Sequence, residues 1–272
     1  MRRSTGLARD FDDYYFHLLR YDTFMVRYAR KMRELLRLLS SGYTLNLGSG
    51  YGDIEMVLGK LCQVISVDID LSRLKFAGSL AKQIGLPWSP VLADARRIPF
   101  KDGSISNCVL SHTLHHIDEK ADVVKGLARV SRTRGKVIVY DANAFSPPLR
   151  LVRSRILKWR NAHLMGAWYV SDLLRSQGMR VKVLYRFVIP DFLPLQGPLL
   201  RFLSMLERII ENVPILNRIC GTMIVVGETQ TTGTTPWACC HTWGSSIGRC
   251  IRWCAQTLCN FASIAIVTDV NI

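Results

Sequence analysis

A chain of 272 residues has room for one sizeable α/β domain with additions, or for two small domains. With 49% hydrophobic and 21% charged residues, it has the composition of a globular protein that buries a core, which excludes a largely disordered chain. The formal net charge of +15 predicts a basic surface that attracts anions, and it does not choose among nucleic acid, anionic lipid and an acidic substrate.

The first residues predict an amphipathic helical segment. Between residues 14 and 39, apolar side chains recur at helical spacing with Arg and Lys between them. We expect residues 1–42 to form a helical lid in which Tyr14, Tyr15 and His17 face a substrate. Ser4 and Thr5 follow Met1 without an apolar run, and no stretch of about 18 apolar residues occurs, so neither a secretory signal nor a membrane span is expected. We expect a cytoplasmic protein whose basic and apolar surface allows contact with a membrane.

The middle of the chain alternates strands and helices. Strands are predicted at residues 43–47, 64–67, 89–92, 105–110 and 136–140, with helices at 54–61, 72–83 and 120–131 between them. Strands separated by helices of this length form parallel βαβ units, whose sheet has helices on both faces. We therefore expect a buried sheet and a ligand at its carboxyl edge.

The pattern loosens after residue 147. A basic stretch at 150–160 is interpreted as a solvated helix face, with a phosphate-binding patch as the alternative. The remaining predicted elements are a helix at 171–177 with Ser171 as its N-cap, a strand at 180–188 and a final strand at 222–226, which complete a predicted domain at 43–228. An apolar helical excursion occupies about 190–219. The Cys-rich tail at 229–272 is expected to be poorly ordered, and its cysteines lack paired C-x-x-C spacing, so no metal site is predicted.

The first chemical signal is a glycine-rich turn between a strand and a helix. The run NLGSGYGD at 46–53 places glycines where the backbone can turn tightly and approach a nucleotide-like ligand. Packing alone also explains such turns. Asp68 ends the next strand about 20 residues later, which is where a carboxylate accepts hydrogen bonds from ribose hydroxyls. The alternative is that Asp68 or Asp70 only caps the following helix. The G-x-G-x-G spacing disfavours a dinucleotide fingerprint.

Three further runs carry a resemblance to a known family. They are VLADARRIPFKDGSIS at 91–106, CVLSHTLHHI at 108–117 and LARVSRTRGK at 127–136. With the glycine turn they occur in the order seen in class I S-adenosylmethionine-dependent methyltransferases of the type 11 group, which includes quinone-methylating enzymes. The resemblance implies an α/β Rossmann-like three-layer sandwich with a seven-stranded, mostly parallel sheet. Its last strand would be antiparallel between the fifth and sixth, and its cofactor would be S-adenosylmethionine.

The resemblance also implies roles for individual residues. The turn would line the methionine part of the cofactor, the acids and Ile69 would hold the ribose and adenine, and Ser111 would lie near the sulfonium. Asn46 stands where the family usually has an acid, which weakens or replaces charge pairing with the cofactor's amino group. The residues implied to bind cofactor are Asn46, Gly48, Ser49, Gly50, Gly52, Asp68, Ile69, Asp94, Ala95 and Ser111.

The acceptor and its chemistry are less constrained. His112, His115 and His116 are candidate general bases because the ordinary pKa of histidine suits proton removal, although such histidines also serve structural roles. Asp141 and Asn143 could orient the acceptor. The apolar excursion at 190–219 suggests a small hydrophobic, lipid- or quinone-like acceptor or a membrane-resting helix, and core packing is the alternative.

Two other classes of function stay open. The basic surface suits a nucleic-acid methyltransferase, but LSHT at 110–113 replaces the N-P-P-aromatic tetrad of enzymes that methylate base amino groups, so nucleic acid is disfavoured. A non-catalytic protein that keeps the fold and binds the cofactor is the third hypothesis.

Overall fold

The computed structural model describes residues 22–150, 165–189, 193 and 195–230. The proposed lid residues Tyr14, Tyr15 and His17, almost all of the basic stretch and the Cys-rich tail from residue 231 lie outside this part of the chain. Among the helices described, none combines the length and the apolar character that crossing a membrane requires.

Six helices and seven strands build the described part of the chain. The helices are α1 (Asp22–Leu38), α2 (Asp53–Leu58), α3 (Leu71–Gln83), α4 (Lys120–Val130), α5 (Ala167–Ser176) and α6 (Gly197–Asn212). The strands are β1 (Thr44–Leu47), β2 (Val64–Asp68), β3 (Pro90–Leu92), β4 (Ile105–Ser111), β5 (Ser131–Ala142), β6 (Met179–Arg186) and β7 (Thr222–Thr229). Short 3-10 turns occur at Leu114–His116 and Leu216–Ile219.

The strands form one seven-stranded sheet in the order β3-β2-β1-β4-β5-β7-β6. Strands β1 to β5 pair in parallel, and β7 pairs antiparallel with both β5 and β6. Both the seven-stranded sheet and the antiparallel last strand between the fifth and sixth are therefore confirmed. The chain leaves β1 toward opposite sides for β2 and β4, and such a reversal opens a crevice at the carboxyl edge of the sheet.

Alternating side chains of the central strands pack into two separate hydrophobic cores, one on each face of the sheet. On one face, Val109 and Ile138 pack with apolar residues of α1, α2 and α3. On the other face, Leu110 and Val139 pack with α4 and α5. Since successive strand side chains point to opposite faces, a continuous apolar run in β4 and β5 produces a sheet covered on both sides. The three-layer arrangement positions the carboxyl edge, and not the faces, for ligand binding.

Two details of the predicted elements are wrong. Helix α5 begins at Ala167, so Ser171 is not its N-cap but a buried residue one turn inside, whose hydroxyl donates to the Ala167 carbonyl. Strand β5 starts at Ser131, directly after α4, and is longer than residues 136–140. The Thr229 hydroxyl, at the end of β7, donates to the Arg132 carbonyl. This contact helps to hold the polar start of β5 in the strand, which the hydrophobicity of the sequence does not predict.

Candidate active site

The glycine-rich turn leaves β1 and is held beneath the tip of β2. The backbone N–H groups of Gly48 and Ser49 both donate to the Val67 carbonyl, at 2.7 and 3.0 Å. Gly48 has a φ of +76°, and a Cβ built there would lie 2.2 Å from the Thr113 side chain. A Cβ on Gly50 would meet nothing within 4 Å. The turn is therefore closed against the loop after β4 and open at Gly50, where a ligand can approach the backbone.

Asp68 fixes this turn to the end of β2. One carboxylate oxygen accepts from the Gly50 N–H at 2.7 Å and the other from the Asp70 N–H at 2.9 Å, and the residue is 8% exposed. Each ionised oxygen keeps a further lone pair that can accept a ribose hydroxyl. Capping of α3 is the task of Asp70, whose carboxylate accepts from the N–H groups of Ser72 and Arg73. The capping alternative thus holds for Asp70 and not for Asp68.

Two buried acceptors in the turn have no partner among the residues described. They are the Asn46 amide oxygen and the Ser49 hydroxyl. The other end of the Asn46 amide donates to both carboxylate oxygens of Glu55, at 3.0 and 3.1 Å, and the Ser66 hydroxyl donates to Glu55 at 2.7 Å. Buried polar atoms usually find a partner, so these two oxygens indicate that a donor-bearing ligand completes the site.

Glu55 was not predicted as a site residue. It lies in α2 beneath Asn46 and is 2% exposed. Burial raises its pKa to about 7, although the hydrogen bonds from Ser66 and Asn46 oppose the shift. The family's acid at the position of Asn46 is therefore replaced by an amide backed by a buried carboxyl group. The signal in the sequence was an acid with apolar neighbours on both sides, after Asp53, the acid that begins α2.

The adenine side of the predicted site lies at the tips of β2 and β3. Ile69 is 70% exposed, which leaves its side chain available to an aromatic ring. Asp94 follows β3, beside the half-buried Ala95, and both of its oxygens accept from the Arg96 guanidinium, whose hydrogen bonds lower the pKa of Asp94 to about 2. Arg96 also bonds Glu119 at 3.2 Å. The structure thus brings Asp94 to the predicted edge with an arginine already bound to it.

Ser111, at the tip of β4, is contacted by a lysine from the helix that covers the sheet. The Lys31 ammonium of α1 donates to the Ser111 hydroxyl at 2.6 Å, lies 3.9 Å from an Asp53 oxygen and sits 4.7 Å from the centroid of the Tyr140 ring. Lys31 is 8% exposed. Lys31 is one of several basic residues between the apolar positions of α1, and such a charge ordinarily faces water, so the sequence did not predict its place in the site.

The three candidate histidines and Asp141 form one cluster. His115 Nδ1 lies 2.7 Å from an Asp141 oxygen, His112 Nδ1 lies 3.8 Å from the same oxygen, and the rings of His115 and His116 are 3.9 Å apart. Burial raises the pKa of Asp141, but the hydrogen bond and charge of His115 outweigh it, so this pKa is lowered. An ionised Asp141 accepts from Nδ1–H and orients the His115 ring, as in other carboxylate–histidine pairs.

His112 and Asn143 differ from His115 in their surroundings. His112 has a φ of +53°, a strained conformation for a histidine, and the protein around its ring together with the Lys31 ammonium lowers its pKa. Asn143 is buried, and its amide donates to the carbonyls of Arg218 and Cys220. Asn143 therefore anchors the loop before β7, and its predicted role in orienting an acceptor is wrong.

An apolar pocket opens at the same edge, past the end of β5. Its volume is about 410 Å³. Phe145 and Trp168 are 57% and 61% exposed, so the aromatic surface faces solvent. The residues that line it are Asp118, Lys120, Ala144, Phe145, Met165, Gly166, Trp168 and Tyr169. Aromatic walls with a few charged groups are typical of pockets for small organic molecules.

Comparison with known proteins supports the family resemblance. Residues 45–139 match a family described as a methyltransferase domain. The ubiquinone/menaquinone biosynthesis C-methyltransferase UbiE of Pseudomonas fluorescens is 27% identical over 129 residues, which cover 45% of this chain and 49% of that protein. The same enzyme of Haemophilus ducreyi is 28% identical over 111 residues, covering 39% and 42%. The chain thus spans about half the length of these curated relatives.

Solved structures share the fold at low sequence identity. A methyltransferase of Thermotoga maritima, described as a possible histamine N-methyltransferase, superposes with a TM-score of 0.60 at 17% identity, covering 81% of this chain and 95% of that one. The YcgJ protein of Bacillus subtilis gives 0.56 at 14% identity, covering 74% and 99%. The family match places residues 45–139 in a class I S-adenosylmethionine-dependent methyltransferase domain of the type 11 group, and the solved structures show the Rossmann-like fold that the sheet order and the glycine turn also have.

Proposed function

We propose that the chain transfers the methyl group of S-adenosylmethionine to a small, hydrophobic acceptor of lipid- or quinone-like chemistry. The observation that carries the proposal is the glycine turn clamped by Asp68, with two unpaired buried acceptors beside it. The Asn46 and Ser49 oxygens fit the donors of the cofactor's amino-acid end. Asp68 would hold the ribose, while Ile69 and Asp94 would contact the adenine.

The remaining chemistry is positioning and proton removal. When bound, the cofactor supplies a methyl group that is already electrophilic, so the chain needs no nucleophile of its own. The pocket beside Phe145 and Trp168 would hold the acceptor at the same edge of the sheet. His115 Nε2 makes no hydrogen bond to the described residues, and Nδ1 is held by Asp141. His115 would take the proton of an acidic acceptor group while Asp141 keeps its ring in place.

The hydrophobic acceptor is favoured over nucleic acid by this pocket and by the names of the curated relatives. The first of these is a ubiquinone/menaquinone C-methyltransferase. Use of the fold without methyl transfer is the second candidate, because a structure titled as a [4+2]-cyclase, SpnF, also superposes, with a TM-score of 0.54 over 75% of this chain. That likeness is at the level of fold, so turnover must be measured.

Cofactor binding is the first test. We expect calorimetry to show S-adenosylmethionine binding that weakens about 10- to 100-fold in Asp68→Asn, because charge-assisted hydrogen bonds are lost. The matched control is Asp70→Asn, which removes the neighbouring carboxylate that caps α3. The binding site is misassigned if Asp68→Asn binds as tightly as the control.

The acceptor is tested by turnover. Purified protein with radiolabelled cofactor and cell extract should label the lipid-soluble fraction. His115→Asn should lower kcat and remove the limb of the pH profile that reports the base, whereas His116→Asn should retain it. Label in nucleic acid would contradict the hydrophobic acceptor, and cofactor binding without label in any fraction would favour the candidate that keeps the fold without methyl transfer.

A further inference from the structure

Helix α6 packs onto the protein through charged residues. Glu207 and Glu211 are only 3% and 4% exposed. Glu207 accepts from the backbone N–H groups of Val188 and Ile189 at 2.7 and 2.9 Å, and Glu211 accepts from the Phe187 N–H at 2.8 Å. Arginines of α1 complete these contacts, since both acids are also ion-paired with Arg30. The side of α6 that faces the protein therefore carries both of its acids, together with Leu200.

The outward side of α6 is apolar. Phe202 and Ile209 are 55% and 54% exposed, and Ile215, just past the helix, is 78% exposed. We call this surface the apolar face of α6, and it consists of Leu199, Phe202, Met205, Leu206, Ile209, Val213, Ile215 and Leu216. Amphipathic surface helices normally bury their apolar side, whereas α6 exposes its apolar side to solvent. Core packing, one interpretation of the apolar excursion, does not hold for these side chains.

The exposed charges that α6 and the turn after it place beside this face are all positive. Arg201, Arg208 and Arg218 are exposed, whereas the segment from Gly197 to Ile219 contains no acids other than the buried Glu207 and Glu211. The groove between α6 and α1, about 580 Å³ in volume, extends the apolar surface toward Met25 and Val26. Of the described residues that line this groove, two are arginines and one is an acid, Asp22 at the start of α1. An apolar strip whose border carries a net positive charge complements the surface of an anionic bilayer, whose headgroups are negative and whose interior is apolar.

We propose that the apolar face of α6 docks on the surface of a membrane that contains anionic lipids. Phe202 and Ile209 insert at the boundary between headgroups and acyl chains, and Arg201 and Arg208 contact the phosphates. The helix lies in the plane of the interface, which is consistent with its buried acids remaining paired with α1. The proposal concerns binding and does not depend on methyl transfer.

Vesicle co-sedimentation of the full chain tests this docking. We expect binding to vesicles of phosphatidylcholine mixed with phosphatidylglycerol, weaker binding to phosphatidylcholine alone, and release by salt. Phe202→Ser combined with Ile209→Ser should weaken binding on the order of a hundredfold, because two apolar side chains no longer leave water. Tyr43→Ser is the control, since Tyr43 is 50% exposed and precedes β1 at the opposite edge of the sheet.

The arginines are tested separately. Arg201→Gln with Arg208→Gln should weaken binding to the anionic vesicles by about thirtyfold, at roughly 1 kcal/mol per basic residue. Lys75→Gln with Lys82→Gln is the matched control, because these exposed lysines of α3 have the same seven-residue spacing. All variants change exposed side chains, and circular dichroism with calorimetric cofactor binding establishes that each is folded.

Three results would overturn the docking proposal. The first is a parent protein that binds neither vesicle. The second is vesicle binding that the serine and glutamine variants leave unchanged. The third is a dimer, seen by analytical ultracentrifugation, that dissociates in the serine variant while vesicles capture neither protein, because a second copy would then be what covers the apolar face of α6.

Discussion

Replacing Glu55 with glutamine should make the stability of the fold less dependent on pH. The Glu55 side chain is almost fully buried beneath Asn46 and accepts hydrogen bonds from Asn46 and Ser66. Burial is the main cause that raises its pKa from 4.5 to about 7, and the nearby Asp53 charge adds to the shift. Glutamine has the same shape, and its carbonyl oxygen can accept from both neighbours, so the substitution removes chiefly the ionisation.

The direction of this pKa shift decides whether Glu55 stabilises the fold more at low or at high pH. Because the pKa of Glu55 is higher in the folded chain than in the unfolded chain, its contribution to stability is fully present below pH 4.5. The contribution is lost as the pH rises through about 7, where the folded protein must ionise a buried acid. At 1.36 kcal/mol per pKa unit, the loss over this window is about 3 kcal/mol. Glutamine does not ionise, so the variant should not lose this free energy.

Urea-induced unfolding at a series of pH values between 5 and 8 measures the effect. We expect the free energy of unfolding of Glu55→Gln, relative to the parent protein, to rise by about 2 kcal/mol across that range. Asp122→Asn, an exposed carboxylate in the first turn of α4, serves as a control for the loss of an acid without burial. A difference between parent and variant that stays constant with pH would refute the assignment of a raised pKa to Glu55.

Two further substitutions test the packing around the site, with unfolding in urea as the measurement. Gly48→Ala should lower the free energy of unfolding by about 2 kcal/mol or more, because the added Cβ contacts a threonine side chain and the positive φ adds strain. Gly50→Ala should show only the strain, about 1 kcal/mol, so equal losses in the two variants would contradict the close contact at Gly48. Arg30→Met should cost about 3–5 kcal/mol, because the buried Glu211 then keeps, among the described residues, only the more distant Arg186 as its ion-pair partner, at 4.0 Å, and combining it with Glu211→Gln should recover part of that loss. Additive losses in that double variant would mean that the pair is not coupled.

The backbone of the site could be predicted from the sequence because its geometry is local. A glycine run between an apolar strand and a helix marks a tight turn with positive φ, and the tips of parallel strands must share one edge of the sheet. Asp68 follows from these two facts, since it ends the strand beside the turn. His115 and Asp141 could be proposed individually, each as a polar residue just past a strand, but their 2.7 Å contact depends on the register of β4 against β5.

The charged residues of the site could not be predicted in the same way. Lys31 is one of the basic residues that separate the apolar positions of α1, and Glu55 lies between apolar residues of α2. A charged side chain in a helix ordinarily faces water. Each of these two is buried because it forms a hydrogen bond with a residue of another element, Lys31 with Ser111 and Glu55 with Ser66. A partner of this kind is a property of the tertiary arrangement, and neither pair has a characteristic spacing along the chain.

The orientation of α6 shows the same limit for a whole helix. Helical periodicity separates an apolar side from a polar side, and it gives no information about which of the two faces the protein. Here the backbone N–H groups of residues 187–189, just after the edge strand β6, need acceptors, and Arg30 of α1 needs a counter-charge. Glu207 and Glu211 meet both needs at once, so the acidic side turns inward and the apolar side is left outside. An isolated helix with the same sequence would have no reason to prefer that orientation, and the preference therefore originates in α1 and β6.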